Sequence, residues 1–185
     1  MLRKISLEKY VMKYILLILP LYVYGTYKNG VLLYQKDLIS FFNIFKLEYL
    51  LLINLVIYIL LLLIFKKKVK FDLVFLSLFI IPLFVSFNVN WIGYIILVSL
   101  YELASLLLYK DNNFPYLALL LFLLGVCFGD FLNPAEKANI YAFSSLDLLF
   151  GRCTGALGST SIILGLGVVV VLSLMNFYKL SITIS

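Results

Sequence analysis

Polar residues that could do chemistry are concentrated in one stretch of this chain, between two strongly apolar runs. The stretch covers residues 129–164 and is rich in Gly, Ser, Thr and Asn, with several charges. In a membrane protein, such an interruption is where ligand binding or transport is usually located. An ordinary loop outside the membrane has the same composition, so composition alone leaves both interpretations open.

An apolar run begins directly after the Gly-rich end of this stretch, which reads Gly155-Ala156-Leu157-Gly158-Ser159-Thr160-Ser161. Ser159 or Thr160 could cap a helix there, and the glycines would let backbone N–H groups approach a ligand closely. The free amides and partial positive charge of a helix N-terminus favour phosphate or another anion. The alternative is a capped helix that follows a flexible loop and binds nothing.

Two polar residues lie inside predicted apolar helices. An unpaired carboxylate at the position of Glu102 would cost at least ~2.5 kcal/mol in a bilayer. Glu102 must therefore face protein or water, be protonated, or meet a cation. It is a candidate for an ion or proton pathway, and the alternative is a structural partner for another polar group. We expect Asn54 to form hydrogen bonds across helices.

The overall composition is that of an integral membrane protein. Of the 185 residues, 64% are hydrophobic and 13% are charged, and the mean hydropathy is +1.11. The apolar runs are long and do not alternate, which favours helices over a β-barrel. The net charge of +6 comes from lysines at segment ends, which fits membrane orientation better than nucleic-acid binding. With no histidine and no close cysteine pair, the sequence predicts no metal site.

The pattern predicts one all-α domain over residues 1–185, a polytopic transmembrane bundle of about six helices. The predicted spans are residues 14–27 (extending as far as 34), 49–65, 71–87, 91–109, 115 to between 125 and 129, and 161–177. Pro82 should kink or shorten the third span, and residues 35–48 should lie at the surface as an amphipathic segment. A re-entrant or broken helix near residues 131–161 is also compatible with the pattern. The distribution of Lys and Arg predicts a cytoplasmic N-terminus.

Part of the polar stretch resembles the RnfD/NqrB family of membrane subunits. The segment Asn133-Pro134-Ala135 and the following residues 139–143 are similar to that family's Asn-Pro-Ala segment. Residues 146–151 are similar to the leucine-rich segment that precedes that family's Gly-Ser-Ile-Gly-Glu-Thr-Ser motif. Residues 155–161 are similar to the motif itself. The specific part of the resemblance covers about residues 129–165. It implies that Asn133, with residues 155 and 158–161, belongs to a cofactor-binding region.

The resemblance implies a subunit of an ion-translocating electron-transport complex in a bacterial-type inner membrane, with other redox subunits as partners. Members of the family carry FMN on a threonine between the two motifs. In this chain Leu146-Asp147 directly follows Ser144-Ser145, and Ser159 occupies the position where the family usually has a glutamate. No covalent FMN site is therefore matched, and any FMN would be bound without a covalent bond or by a partner. A shortened or repurposed relative is the expectation.

Three functional hypotheses follow from the sequence. The first is a membrane subunit of an RnfD/NqrB-like redox-driven ion-translocating complex, which would make the chain at most part of an oxidoreductase or translocase. The second is a component of a transporter or channel for a small solute or vitamin. The third is a non-catalytic assembly subunit of a membrane complex.

Overall fold

A computed structural model describes residues 7–69, 72–108, 157–158 and 161–174, together with residues 120, 121 and 123. Every regular element in these ranges is helical, so the all-α prediction is confirmed for this part of the chain. The segments 109–119 and 124–156 lie outside it. They include most of the predicted fifth span and most of the proposed broken helix.

The first α-helix continues into two further helical segments. Helix α1 (Leu7–Thr26) continues through a π-helical turn (Tyr27–Val31) into the short α2 (Leu32–Tyr34). At this turn the backbone of a neighbouring segment comes very close: a Cβ on Gly30 would lie 2.4 Å from the carbonyl oxygen of Ile44. Only glycine fits at this contact. The predicted extension of the first helix to residue 34 is confirmed.

The second long helix begins earlier than predicted. A 3₁₀ turn (Phe41–Phe45) leads directly into α3 (Lys46–Ile64). The predicted boundary between a surface segment ending at residue 48 and a helix starting at 49 is therefore wrong. The reason is that Lys46 and Leu47 are buried against the protein instead of lying in solvent.

The next apolar segment is interrupted, as predicted for Pro82. Helix α4 (Leu73–Ile80) passes into a 3₁₀ turn (Ile81–Phe84), and the backbone is extended at Val85. Asp72 begins α4 by accepting hydrogen bonds from two backbone amides, Val74 N at 3.0 Å and Phe75 N at 3.1 Å. After a turn, α5 (Trp91–Leu108) follows, and α6 (Ile162–Leu174) is the last described helix.

Two helical stretches are long and apolar enough to cross a membrane, Val11–Tyr34 and Phe41–Ile64, each of 24 residues. Only 33% and 28% of their most apolar windows are buried, whereas the core helix of a soluble protein would be mostly buried. Several large apolar side chains are strongly exposed: Val23 by 72%, Leu63 by 69% and Ile92 by 71%. Such a surface suits contact with lipid. The full set of six spans goes beyond the described residues.

Helix α1 packs against α3, α4 and α6, and α3 packs against α5. The main core cluster includes Tyr22, Leu50, Ile81, Tyr94 and Leu157, so it joins residues from both ends of the chain. The interruption after α4 therefore lies inside the packed interior, where its backbone groups need partners.

Candidate functional site

Pro82 leaves a backbone carbonyl without its helical partner, and a side chain from α3 replaces that partner. Proline has no N–H group, so the carbonyl of Leu78 cannot accept the usual bond from the residue four positions later. The Nδ2 of Asn54 donates to Leu78 O at 3.0 Å, and Tyr94 Oη donates to Asn54 Oδ1 at 2.7 Å. Both Asn54 and Tyr94 are fully buried. The expectation that Asn54 bonds across helices is confirmed.

A second side chain donates a hydrogen bond to the next carbonyl of the same turn. Tyr22 of α1 donates from its hydroxyl to Phe79 O at 2.6 Å. Two adjacent carbonyls at the helix interruption are thus satisfied by side chains from two other helices. Such replacement is how interrupted helices are maintained in an apolar interior.

Leu157 and Gly158 of the Gly-rich motif are built into the same interior. Leu157 N donates to Val85 O at 2.8 Å, and Gly158 N donates to Leu83 O at 3.0 Å. In addition, Asn29 Nδ2 donates to Leu157 O at 2.7 Å. At these two residues the motif is a core element and not an exposed loop.

The close approach of Leu157 to α1 and of Leu83 to the Gly-rich motif explains why positions 25 and 158 are glycines. A Cβ on Gly158 would lie 2.2 Å from Leu83 Cδ2, and a Cβ on Gly25 would lie 2.6 Å from Leu157 O. A side chain at position 25 would push the backbone of Leu157 away, and one at position 158 would displace the buried Leu83 side chain. The glycine at 158 is therefore used for packing against Leu83.

Ser161 is the N-cap of α6. The prediction that Ser159 or Thr160 caps this helix is therefore corrected. Helix α6 begins at Ile162, and Ser161 Oγ accepts a hydrogen bond from Leu164 N at 3.3 Å. The capping residue is the one directly before the first helical residue. Three consecutive hydroxyl residues made its exact position ambiguous in the sequence. Asn133, Gly155, Ser159 and Thr160 lie outside the described residues.

Two backbone amides of the Gly-rich motif are not available to a phosphate group. The amides of Leu157 and Gly158 are both engaged with carbonyls of the interrupted segment. The Ser161 hydroxyl is engaged with its own helix, and Leu83 fills the space beside Gly158. Backbone N–H groups that bind an anion must be available to it, and these two are not.

Glu102 of α5 is fully buried, and both of its carboxylate oxygens lack a hydrogen-bond partner among the described residues. Three positions later on the same helix, the buried Ser105 hydroxyl likewise has no partner in that part of the chain. On the adjacent residue, the Tyr101 hydroxyl lies beside those of Ser77 and Ser105. Hydroxyl groups from α4 and α5 thus lie at the turn of α5 that carries Glu102.

A cavity of about 440 Å³ lies at the adjacent end of these helices. Its lining includes Tyr58, Asp72 and Ser105, together with Lys67 and Lys68 from the segment that follows α3. Lys67 Nζ also donates a hydrogen bond to Leu106 O, which ties the C-terminal ends of α3 and α5 together. Ser105 thus connects this cavity to the turn of α5 that carries Glu102.

Glu48 was missed as a functional residue because residues 35–48 were interpreted as an amphipathic segment at the surface. Its Oε1 accepts a hydrogen bond from Thr26 Oγ1, whereas its buried Oε2 has no partner among the residues described. Glu48, Thr26 and Tyr22 line a second cavity, of about 500 Å³ and otherwise largely apolar. A carboxylate in the first turn of a long apolar run was the available signal in the sequence.

Lys46 was missed for the same reason. Its side chain is 8% exposed, and Nζ donates to Phe87 O. The ammonium group also lies 4.9 Å from the ring centroid of Phe87 and 5.2 Å from that of Trp91, within the range of cation–π attraction. Lys46 therefore joins the start of α3 to the start of α5.

Comparison of the chain with protein-family models, with curated proteins and with solved structures found no significant match. Among the described residues, no group of three or more His, Cys, Asp or Glu side chains is arranged to hold a metal ion.

Proposed function

We propose that this chain is a multi-pass subunit of an RnfD/NqrB-like, redox-driven ion-translocating complex in a bacterial-type inner membrane, with a cytoplasmic N-terminus. The observation that carries the proposal is the hydrogen-bonded contact of Leu157 and Gly158 with the interruption at Leu83–Val85. Interrupted helices that meet in the interior are typical of proteins that move ions across membranes. The motif order of residues 129–165 supplies the link to this particular family.

The proposal assigns the chain a structural and ion-conducting role and leaves flavin chemistry to partner subunits. The two described amides of the Gly-rich motif are occupied by protein carbonyls. At the place where the family attaches FMN, before the leucine-rich residues 146–151, the chain has Ser144 and Ser145 and no threonine. The mass of the purified chain should therefore equal the mass of the polypeptide, and an FMN-sized adduct would contradict this part of the proposal.

Purification from the native membrane tests the proposal directly. A tagged chain, extracted in mild detergent, should retain subunits that contain flavin or iron–sulfur clusters, detected by absorbance and mass spectrometry. Gly158→Leu should reduce this recovery because it forces Leu83 away, whereas Gly167→Leu should not, since a Cβ added at Gly167 meets no atom of the described residues within 4 Å. Recovery of the chain alone, without redox subunits, would refute the proposal.

The second candidate is a transporter or channel for a small solute. The observation that favours it is Glu102, whose buried oxygens have no partner among the described residues. Ser105, three positions later on the same helix, lines a cavity of about 440 Å³. Such a carboxylate could bind a cationic group on a solute. Uptake of candidate solutes by reconstituted protein would support this candidate, whereas the redox proposal predicts no solute flux.

A further inference from the structure

The cavity of about 440 Å³ lies where three helices meet. Its wall is formed by the last turns of α3 and α5, by the first turn of α4, and by the lysines that follow α3. Helix α3 belongs to the stretch Phe41–Ile64, which is long and apolar enough to cross a membrane. The cavity therefore lies toward one end of a membrane-length helix, near the level where lipid headgroups meet water.

The rim of this cavity carries two ammonium groups. Lys67 and Lys68 both line it, and both side chains are exposed. Lys67 Nζ donates a hydrogen bond to Leu106 O at the end of α5. Because a lysine ammonium has three donor protons, this contact holds Lys67 beside α5 and leaves protons for another acceptor.

The end of α3 brings these lysines to the cavity. Lys67 N donates to Leu62 O at 2.9 Å and Lys66 N donates to Leu63 O at 3.2 Å. Lys66 has a φ of 50°. This combination is the Schellman motif that ends many helices. The chain leaves the helix axis at this turn, and Lys67 and Lys68 then line the same cavity as Leu62.

Among the described residues that line the cavity, positive charges outnumber negative ones. The acidic residue is Asp72, whose Oδ1 accepts hydrogen bonds from Val74 N at 3.0 Å and Phe75 N at 3.1 Å. The positive end of the α4 dipole therefore offsets part of its charge. Lys66, exposed next to Lys67, adds a further positive charge nearby. The rim thus attracts an anionic group.

The wall below the rim is largely apolar. Leu62, Val74 and Leu106 contribute aliphatic side chains, and Tyr58 lies one turn further along α3, about 6 Å deeper. The volume is within the roughly 300–1,000 Å³ that is usual for ligand sites. A cationic rim above an apolar wall matches an amphiphile with a phosphate group, whereas a soluble phosphate would use the rim alone.

We propose that this cavity binds the headgroup of an anionic phospholipid. Lys67 and Lys68 hold the phosphate, and the first part of an acyl chain contacts Leu62 and Leu106. The site goes beyond the proposed function, because it requires neither flavin nor redox subunits. In the proposed orientation, two crossings return the chain to the side of its N-terminus. The site then faces the cytoplasmic leaflet, whose anionic lipids attract basic segments beside membrane helices.

Diffuse attraction between a basic segment and a charged membrane is the alternative to a defined site. The four lysines at positions 66–68 and 70 would produce such attraction without any cavity. The two explanations differ in what they predict for neighbouring lysines. Lys68 is among the described residues that line the cavity and Lys66 is not. A defined site therefore predicts unequal effects of the same substitution at these two positions.

Lipid binding to the full chain tests the proposal. The protein, with any subunits that co-purify, is delipidated in mild detergent, and bound phosphatidylglycerol and phosphatidylcholine are measured by native mass spectrometry. Phosphatidylglycerol should bind about tenfold more tightly than phosphatidylcholine. Lys68→Gln should reduce this preference about fivefold, because one phosphate partner is lost. The matched control Lys66→Gln should reduce it by less than about twofold, since a solvated charge is screened by salt.

A photoactivatable phosphatidylglycerol locates the site without any substitution. With a diazirine at the carbonyl end of one acyl chain, it should crosslink to residues 58–62 and 105–106 of the unmodified protein. Unlabelled phosphatidylglycerol should compete for this crosslink, whereas phosphatidylcholine should not. An excess of inorganic phosphate should leave the crosslink in place, because the acyl chain contributes to binding.

Three results would overturn the proposal. Equal losses from Lys66→Gln and Lys68→Gln would show diffuse attraction in place of a site. Crosslinks that lie elsewhere in the chain would show that the lipid does not enter this cavity. Displacement by inorganic phosphate would show that the ligand is a soluble anion. None of these results changes the recovery of redox subunits, so the proposed function is tested separately.

Discussion

Asn54 donates a hydrogen bond from Nδ2 to the carbonyl oxygen of Leu78, 3.0 Å away, and thereby takes the place of a backbone amide. The amide is missing because the residue four positions after Leu78 is proline. An asparagine buried in a long apolar helix is thus explained by a proline in a different helix. The interruption after α4 is stabilised from outside its own segment.

Replacing Asn54 by Leu should lower the free energy of unfolding by about 1–3 kcal/mol, because Leu78 O then remains buried without a donor. Thermal or SDS unfolding of the purified protein, followed by circular dichroism, measures this change. Pro82→Ala supplies the missing N–H group and should recover part of the loss when combined with Asn54→Leu. Equal effects of Asn54→Leu with and without Pro82→Ala would show that the two residues are not coupled.

Gly158→Ala should destabilise the fold by about 1–3 kcal/mol, because the new Cβ would overlap Leu83 Cδ2. Leu83→Ala removes the overlapping atoms, so the double variant should be more stable than the sum of the two single changes predicts. Gly167→Ala is the matched control, since an added Cβ there meets no atom within 4 Å in the part of the chain that the structure describes. Similar losses for Gly158→Ala and Gly167→Ala would contradict the packing described between the motif and the interruption.

Ser161→Ala should cost about 1 kcal/mol, the usual effect of removing a helix N-cap. The loss should be seen as a lower unfolding temperature of the purified protein. Ser161→Thr retains a hydroxyl and should remain close to the original stability. If Ser161→Ala is neutral while Ser161→Thr is destabilising, the hydroxyl at this position does not cap α6.

Lys46 and Trp91 should show a favourable coupling of about 0.5–2 kcal/mol in a double-mutant cycle, since the ammonium group lies over the indole ring. Unfolding of Lys46→Met, Trp91→Leu and the double variant, followed by far-ultraviolet circular dichroism, measures the coupling. Lys36→Met, at an exposed position, should change stability by less than about 0.5 kcal/mol. Additive effects at Lys46 and Trp91 would exclude the cation–π contact.

Local signals in the sequence were sufficient where the cause of a feature lies within a few residues. The interruption at Pro82 follows from the missing N–H group, and a buried Asn54 requires a partner in another helix. By contrast, the contact of Leu157 with Asn29 joins residues 128 positions apart, and no local pattern indicates it.

The misinterpretation of Lys46 and Glu48 has the same origin. A charged residue between aromatic residues suggests a surface segment when its partners are unknown. Phe87 and Trp91, which contact Lys46, and Thr26, which contacts Glu48, all lie in other elements. Burial of these charges is decided by tertiary packing, which periodicity within one helix does not encode.

The pairing of Leu157 and Gly158 with Leu83 and Val85 also bears on the order in which the chain assembles during synthesis. The carbonyls of Leu83 and Val85 are made more than 70 positions before the amides that bond to them. Until those amides arrive, the centre of the molecule holds exposed carbonyl groups that an apolar environment does not tolerate. The contact therefore distinguishes a completely assembled interior from an incomplete one.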